Sequence, residues 1–379
     1  MPGLKSLTKF LLFITILSLN LNSFAQFVRK SSTPNIGLKE PKAVDPIAGI
    51  LKLFESRPLV ALDEGGHHTA QTHTFFRTLV QDSRFPEKVN DIVVEFGTCK
   101  YQDVMDRYIN GETVPLEQLQ LVWRETTQVY VFDNPVYRQF FETVRNVNLK
   151  LPKNKRLRVL LGDPAIDWSK VNNFDDWVKQ ANRDTNAAQI IEREVLKKRR
   201  KAILIYGGTH IVRRDVYRNF EPTPGDHAGV VEQVERVHPK STYSVWANTV
   251  NDDIGVRESN LASFPIPSLV MLKGTTLGER DFTSILSKED PGQNRIKFVN
   301  GKRVNVSRDE FARLRLEENV DALLYLGPVK YLYKTPYFID TFSDEDYYRE
   351  TVRRSRILSE INLEEIEDLR KKYLMVKKN

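Results

Sequence analysis

Cysteine, histidine and low-complexity sequence are all scarce in this chain. Its 379 residues include a single cysteine, Cys99, so no internal disulfide can form. Glycine and proline number 18 each, and the hydrophobic and charged fractions of 40% and 28% are ordinary for a globular protein. We therefore expect a folded chain with a sizeable core whose stability comes from packing alone.

Motifs of several common enzyme classes are also missing. The absence of Gly-x-Ser-x-Gly argues against an α/β-hydrolase serine triad. The absence of Gly-x-Gly-x-x-Gly and of a phosphate-loop lysine motif removes the main support for nucleotide or dinucleotide binding. The metalloprotease helix His-Glu-x-x-His does not occur. Cys99 follows a predicted strand, and we interpret it as a small buried residue and not as a nucleophile.

Positive charge is in modest excess and is not concentrated on one segment. The formal net charge is +7. The densest basic cluster, residues 197–201, lies at the end of a predicted helix, where basic side chains complement the helix dipole. Elsewhere lysine and arginine are interleaved with acidic residues. The sequence therefore predicts no nucleic-acid partner.

The amino terminus has the pattern of a secretory signal peptide. Lys5 and Lys9 precede an apolar run, and Ser23-Phe24-Ala25 offers a cleavage site before Gln26. The run is too short for a transmembrane anchor. We expect residues 1–25 to be removed, residues 26–44 to form a linker, and the mature protein to be periplasmic or extracellular, with no transmembrane anchor.

Short apolar runs alternate with helical stretches along the rest of the chain. Continuous apolar runs predict strands at 58–62, 91–96, 157–161 and 202–206, with weaker candidates at 242–250, 268–272 and 322–326. Helical periodicity predicts helices at 45–55, 68–80, 100–109, 116–129, 135–149 and 174–199. Buried strands that alternate with helices are typical of parallel sheets.

These elements predict an α/β fold, with a mainly parallel sheet flanked by helices on both faces and with extra helical and hairpin insertions. The hairpin is predicted over 296–306 about Asn300-Gly301. We assign residues 45–341 to this domain and residues 342–379 to a charged C-terminal helix capped by Ser343.

Each of the four main predicted strands ends in polar residues. These are Asp63, Glu64, His67 and His68 after the first strand, Glu95 in the second, Asp163 after the third, and His210 after the fourth. Ligands of parallel sheets bind beyond the carboxyl ends of the strands. We therefore expect Glu64, His67, Glu95, Asp163 and His210 to converge in one cleft.

Carboxylates beside imidazoles suit two kinds of chemistry. Glu64 and His67 have Glu-x-x-His spacing, so the carboxylate could orient the imidazole as a general base for water. The same residue types could instead hold a divalent metal, with His67, His68, His210 and Glu95 as the ligands. The spacing does not separate these two possibilities.

Other polar and aromatic residues near these turns are candidates for binding. His73 and Arg77 lie in the helix after the first strand, and Arg77 is a candidate partner for Glu64 or Glu95. Aromatic and basic residues at 101–108 and 118–124 could form pocket walls or could pack into the core.

The strand-end motifs resemble those of a known group of proteins. The turn from Leu62 to His68, the strand end Glu95-Phe96-Gly97 and the later turn from Tyr206 to His210 are similar to those of the erythromycin esterase, ChaN-like haem-uptake and Tiki superfamily. Over roughly residues 58–330 the resemblance implies an α/β sheet and an envelope or secreted location. Asp63 stands where a glycine usually precedes the glutamate, so His68 could take the role assigned to His67.

The resemblance implies different functions for different members. Erythromycin esterases hydrolyse a cyclic ester with a histidine base, Tiki-like members are metal-dependent proteases, and ChaN-like members bind haem. The leading hypothesis is a hydrolase of an ester, a lactone or a peptide, in which His67 or His68 activates water, Glu64 and Glu95 orient it, and His210 acts on the leaving group.

The alternative hypothesis is a haem or metal carrier without catalysis. Tyr206, Tyr101 and Trp123 would then be available for the macrocycle. The cofactor is left open between none, a divalent metal and haem, and the expected partner is a small-molecule or peptide substrate.

Overall fold

The structure is a computed structural model, which describes residues 37–214, 228–248, 261–282, 296–299, 302–305 and 315–378. The chain divides into two units, Met1–Lys39 and Glu40–Asn379, and the elements that follow belong to the second. The predicted signal peptide lies outside the described residues.

A mixed sheet of eight strands organises the described part of the chain. The strands along the chain are Ala43–Val44 (β1), Leu59–Asp63 (β2), Asp91–Thr98 (β3), Arg158–Asp163 (β4), Ala202–Tyr206 (β5), Thr242–Ala247 (β6), Ser268–Met271 (β7), Ile296–Val299 (β8), Lys302–Asn305 (β9) and Ala322–Tyr325 (β10). The order across the sheet is β1-β7-β10-β6-β2-β5-β3-β4, and the neighbours from β10 to β4 are all parallel. Within this sheet, as far as the structure describes it, β7 alone runs antiparallel to its neighbours β1 and β10, and β8 and β9 form a separate two-stranded sheet. The mainly parallel α/β fold predicted from the sequence is confirmed.

The central strands are buried because both faces of the sheet are covered. Every residue of β2, β3 and β5 is buried. This burial explains why the strands appear in the sequence as continuous apolar runs and not as alternating ones. The strand ends are therefore the places where the sheet can present polar groups.

Four of the six predicted helices, those at 45–55, 68–80, 100–109 and 135–149, are found close to the predicted positions. They are Pro46–Leu53 (α1), Ala70–Gln81 (α2), Phe85–Lys88 (α3), Gln102–Ile109 (α4), Leu116–Arg124 (α5), Pro135–Lys150 (α6), Phe174–Gln180 (α7), Arg183–Ile191 (α8), Val230–Val237 (α9), Leu316–Asn319 (α10), Glu345–Ile357 (α11) and Leu363–Lys378 (α12). Asp45 caps α1 by accepting the N–H of Ala48 at 2.7 Å, and Pro46 takes the first helical position. Strands β8 and β9 pair antiparallel, as the predicted hairpin requires, while its turn residues lie outside the described part.

The helix predicted over 116–129 is wrong at its carboxyl end. Helix α5 ends at Arg124 because Thr127 is held elsewhere. Both the N–H and the hydroxyl of Thr127 donate to Asp163, each at 2.7 Å. Because its N–H donates to Asp163, Thr127 cannot continue the hydrogen bonds of the helix.

The long helix predicted over 174–199 is also wrong. It is split into α7, α8 and a short π-helical turn, Glu192–Leu196. Ala181 and Asn182 leave the helical conformation, with ψ angles of 35° and 71°. The break lets α8 start with Arg183 at the carboxyl edge of the sheet, where this arginine pairs with strand-end carboxylates.

The charged C-terminal segment contains two helices in place of the predicted single one. Left-handed residues Ser359, Glu360 and Asn362 separate α11 from α12. The cap of α11 is Asp344, whose side chain accepts the N–H of Tyr347, and not Ser343. Both helices pack on the domain, because Ile366 of α12 is buried in one cluster with Tyr130 and Trp168 and Tyr347 of α11 packs against that cluster.

A distant strip of chain, residues 333–335, crosses the turn that follows β2. Thr69 and Lys334 form an antiparallel bridge. On either side of it, Ala70 N–H donates to Tyr333 O at 2.9 Å and Thr335 N–H donates to His68 O at 2.8 Å. The turn between β2 and α2 is thus fixed from the far end of the chain.

None of the helices in the described ranges is long and apolar enough to cross a membrane. At the start of the sheet, β1 lies within the segment predicted to be a linker, so that segment contributes a short edge strand.

Candidate active site

Asp63, the last residue of β2, ties three strand ends together. Its Oδ1 accepts the N–H groups of Gly65 at 2.9 Å and Gly208 at 2.8 Å, and its Oδ2 accepts that of Ala247 at 3.3 Å. Burial raises the pKa of Asp63 to about 6, although these three N–H donors oppose the rise. Asp63 therefore shapes the turns and does not face the cleft.

Glu64 is completely buried and is surrounded by donors. Oε2 accepts from His67 Nδ1 at 3.2 Å, and Oε1 accepts from His73 Nε2 at 3.1 Å and from the Tyr137 hydroxyl. Burial alone would raise the pKa of Glu64, but the charge of His67 and these hydrogen bonds hold it well below its ordinary value. An ionised carboxylate only accepts hydrogen bonds, so His67 must carry its proton on Nδ1.

The side chains of the adjacent residues His67 and His68 have different partners. His67 pairs with Glu64, keeps 34% of its side chain exposed, and has its Nε2 available as a base. His68 adopts a left-handed backbone, with φ of 72°, and places Nε2 2.5 Å from Val131 O. Burial lowers the pKa of His68 to about 3. Of the two candidate bases, only His67 therefore combines a carboxylate partner with an exposed imidazole.

Glu95 lies opposite Glu64 and is 2% exposed. Its Oε2 accepts the N–H of Gly207 at 2.8 Å, and its Oε1 contacts the guanidinium of Arg183. His210 Nε2 lies 3.6 Å from the same Oε1. Glu95 thus links the ends of β3 and β5 to the first turn of α8.

His210 belongs to a second imidazole–carboxylate pair. It lies in the short 3-10 turn Gly208–Ile211 after β5, and its Nδ1 is 2.6 Å from Asp184 Oδ1. The same oxygen accepts the N–H of Val230 at 3.1 Å. Asp184 consequently fixes both the ring of His210 and the start of α9.

Asp163 closes the group at the end of β4. It accepts both hydrogen bonds from Thr127, and Arg183 Nε lies 3.4 Å from its Oδ1. Burial raises the pKa of Asp163 to about 7, and the hydrogen bonds from Thr127 oppose this rise. The structure therefore gathers Glu64, His67, Glu95, Asp163 and His210 at one edge of the sheet.

Several candidate residues lie away from this group or beneath it. Arg77 donates to Gln139 and Thr74 on an exposed helix face, so the contact predicted with Glu64 or Glu95 is not formed. Tyr206 is buried, with its hydroxyl 3.4 Å from Val94 O. Cys99, predicted to be buried, is only partly buried, and this burial raises the pKa of its thiol.

Sequence reasoning missed Arg183, Asp184 and Tyr137. The first two lie inside the continuous helix predicted over 174–199, which gives no reason to place them at the edge of the sheet. The available signal was Asn182, which precedes an acidic first helical turn at Asp184 and so has the pattern of a helix start. Tyr137 carries no comparable signal, because an aromatic residue in an amphipathic helix is usually a core residue.

A metal site is geometrically conceivable but chemically unsuited to this arrangement. Glu64, His67 and Glu95 each offer one ligand atom, and these atoms lie within 4.8 Å of one another. Both oxygens of Glu64 already accept hydrogen bonds, and Glu95 contacts a guanidinium. His68, a further metal candidate, is held by the carbonyl of Val131.

Of the three residues named for haem, Tyr101 is partly exposed and the other two are poorly placed to bind the macrocycle. Tyr206 and Trp123 are buried, and the indole N–H of Trp123 donates to Asp133 at 2.8 Å. A haem site needs an accessible axial ligand and an apolar surface for the macrocycle. Neither side chain offers such a surface.

Comparison with known proteins finds a similar fold in solved structures but no match to a protein family or to a curated protein. Among solved structures, the chain is similar to a mutant of the erythromycin esterase EreC in its open conformation, with 10% identity, coverage of 76% of this chain and 94% of that chain, and a TM-score of 0.47. It is also similar to a succinoglycan biosynthesis protein, with 12% identity, coverage of 76% and 94%, and a TM-score of 0.44.

A third similar structure is ChaN of Campylobacter jejuni, which binds haem cofacially. The identity is 12%, the coverage is 56% of this chain and 93% of that chain, and the TM-score is 0.34. Two of the groups named by the sequence resemblance are thus represented among the similar folds. At these identities and scores the likeness carries no argument about activity.

Proposed function

We propose that the protein is a hydrolase in which His67 and His210 perform general acid–base catalysis at the carboxyl edge of the sheet. The observation that carries the proposal is the pair of imidazole–carboxylate couples, Glu64–His67 and Asp184–His210, with Glu95 between them. Such couples fix the tautomer and the orientation of the ring, as general acid–base chemistry requires.

His67 is the general base in this proposal. Its Nδ1 proton is committed to Glu64, so Nε2 takes a proton from water while the water oxygen attacks a carbonyl carbon. Glu64 remains ionised and stabilises the imidazolium that forms. His73 and Tyr137 hold Glu64 in place through its other oxygen.

His210 is the general acid. With Nδ1 bonded to Asp184, a protonated His210 donates from Nε2 to the departing oxygen or nitrogen as the bond to the carbonyl carbon breaks. The substrate class consistent with this step is an ester, a lactone or a peptide. Glu95 keeps the acid within reach of the reacting group.

The test is a panel of ester, lactone and peptide substrates assayed with wild type, His67→Gln and Glu64→Gln. We expect each variant to lose turnover by about 100- to 10,000-fold, as when a general base is removed. The double variant should be little worse than either single variant, because the pair acts as a unit.

A matched control is available elsewhere in the chain. Glu192 and His238 form another carboxylate–imidazole pair, at the opposite ends of α8 and α9 from Asp184 and Val230. His238→Gln should leave turnover unchanged. Hydrolysis that survives in His67→Gln would refute the assignment, and stoichiometric haem uptake without hydrolysis would favour the carrier hypothesis.

We further propose that the protein is exported after cleavage before Gln26. Its support is the basic start, the apolar run and the Ser23-Phe24-Ala25 site. Amino-terminal sequencing of exported protein should begin at Gln26. Recovery of the chain with Met1 retained in a washed membrane fraction would contradict export.

A further inference from the structure

Three residues of the site sit close enough together to bind a cation. The candidate ligand atoms of Glu64, His67 and Glu95 lie within 4.8 Å of one another. Two carboxylates and an imidazole are donors that a divalent transition metal accepts. What surrounds these donors decides whether a metal ion could enter.

Arg183 already supplies a positive group at this position. Its Nη2 contacts Glu95 Oε1, and its Nε lies 3.4 Å from Asp163 Oδ1. The side chain is only 14% exposed, so its charge is poorly screened by water. A guanidinium remains protonated inside proteins and pairs with carboxylates in a fixed geometry.

The remaining donor oxygens are occupied as well. Glu95 Oε2 accepts the N–H of Gly207, while the oxygens of Glu64 accept from His67, His73 and Tyr137. A metal ion would have to displace these donors and sit beside a buried positive charge. Both requirements oppose its binding.

We propose that Arg183 is a built-in cation that takes the place of a metal ion in this site, so that its removal would create a divalent-metal site on Glu95 and His67. His210 would be a further ligand, because its Nε2 lies 3.6 Å from the Glu95 oxygen that Arg183 now occupies. This inference concerns metal binding and does not depend on the hydrolase proposal.

The experiment measures Zn²⁺ binding by isothermal titration calorimetry with tag-free, chelator-dialysed protein. Wild type should bind no Zn²⁺ that depends on Glu95. Arg183→Ala should gain one equivalent with at least tenfold higher affinity than any wild-type binding. Arg183→Ala combined with Glu95→Gln should lose that gain.

Two further variants separate charge from packing. Arg183→Lys keeps a positive group and should gain no Zn²⁺ site. Arg183→Met keeps the aliphatic stem of the side chain, so it should bind Zn²⁺ as Arg183→Ala does and can replace that variant if Arg183→Ala does not fold. Circular dichroism and thermal unfolding establish which variants are folded.

Two results would overturn the proposal. One is a wild-type Zn²⁺ site that disappears in Glu95→Gln, and this measurement needs no change at Arg183. The other is a folded Arg183→Met that binds no more Zn²⁺ than wild type. Because neither readout requires a substrate, failure of the hydrolase assay would leave this result standing.

Discussion

Asp184 controls the direction in which His210 faces the cleft. Its carboxylate accepts from Nδ1 of that ring and from the N–H of Val230, so one oxygen positions both the acid and the start of α9. Burial would raise the pKa of Asp184, but the charge and hydrogen bond of His210 lower it below its ordinary value. Asp184 is therefore a positioning residue of the proposed site.

We expect Asp184→Asn to reduce kcat roughly 100-fold with little change in KM. The amide oxygen can still accept from Val230, which preserves the fold, but the imidazolium loses its charged partner. The measurement is a pH profile of kcat and of KM for wild type, Asp184→Asn and the control Glu192→Gln. An unaltered kcat and an unaltered profile in Asp184→Asn would rule out the positioning role.

Asp63 gives the stability of the fold a pH dependence of known sign. Its pKa rises from an ordinary 3.8 to about 6 in the folded chain, so its contribution to stability is fully present below pH 3.8 and is lost as the pH rises through about 6. The loss is on the order of 3 kcal/mol. Between pH 4 and pH 7, urea unfolding should show wild type losing this amount relative to Asp63→Asn.

The matched control for this measurement is Asp82, whose pKa is lowered by Arg84. A lowered pKa stabilises the folded chain above the ordinary value and loses that effect on acidification, which is the opposite sign. Asp82→Asn should therefore not reproduce the change seen with Asp63→Asn. Parallel pH dependences for wild type and Asp63→Asn would contradict the assignment.

At the level of elements, two glycines at the ends of the strands on either side of β3 should respond differently to alanine. A Cβ added at Gly162 in β4 would overlap the Tyr206 hydroxyl and lie 2.9 Å from Val94 O. At Gly207, after β5, the nearest atoms are Glu95 Oε2 at 3.4 Å and His67 Cε1 at 3.7 Å, which are ordinary contacts.

We therefore expect Gly162→Ala to destabilise the protein by about 1–3 kcal/mol, because the strand and Tyr206 must shift. Gly207→Ala should unfold close to wild type but should lower turnover, since its methyl group enters the space between His67 and Glu95. Thermal unfolding and the hydrolase assay measure the two effects separately. Equal melting temperatures for the two variants would refute the distinction.

The sequence predicts best the elements that are buried on both faces, because these appear as continuous runs of apolar residues. Strands β2 to β5 are found within one or two residues, because both faces are apolar. The sequence does not predict that the helices break at Thr127 and Asn182. Each break places a donor on a carboxylate from another part of the chain. Periodicity within one segment cannot report such a contact.

The same limit applies to the site. Glu64, His67, Glu95, Asp163 and His210 could be assembled from the sequence because parallel strands share a carboxyl edge. Arg183 and Asp184 come to that edge from a helix, and only the break before α8 brings them there. The preference for His67 over His68 likewise depends on a backbone turn that spacing does not reveal.

At the scale of the whole molecule, the C-terminal helices belong to the folded domain. Arg354 of α11 contacts Glu125 and donates to Glu350 at 2.7 Å, and Tyr130 contacts Glu365 of α12. Removing residues 344–379 would take the Arg354 guanidinium from Glu125, leaving Lys100 at 3.9 Å, and would uncover the apolar cluster around Tyr130.

We expect that truncation to lower the melting temperature and to make the chain sensitive to proteases. A matched control removes residues 374–379 only, where Leu374, Met375 and Val376 are exposed. That shorter deletion should melt like the full chain. Limited proteolysis with thermal unfolding provides the comparison, and an unchanged melting temperature after removal of 344–379 would show that the helices are dispensable.

The strip that crosses the turn after β2 sets an order of events during synthesis. The turn carrying His67 is among the first folded parts of the chain to be made, whereas Tyr333 and Thr335, which bind its backbone at Ala70 and His68, are among the last. A growing chain that has not reached residue 335 lacks these two bonds and holds the turn only through local bonds, such as that from Gly65 N–H to Asp63. If the protein is the hydrolase proposed above, we therefore expect activity only from chains that extend past residue 335.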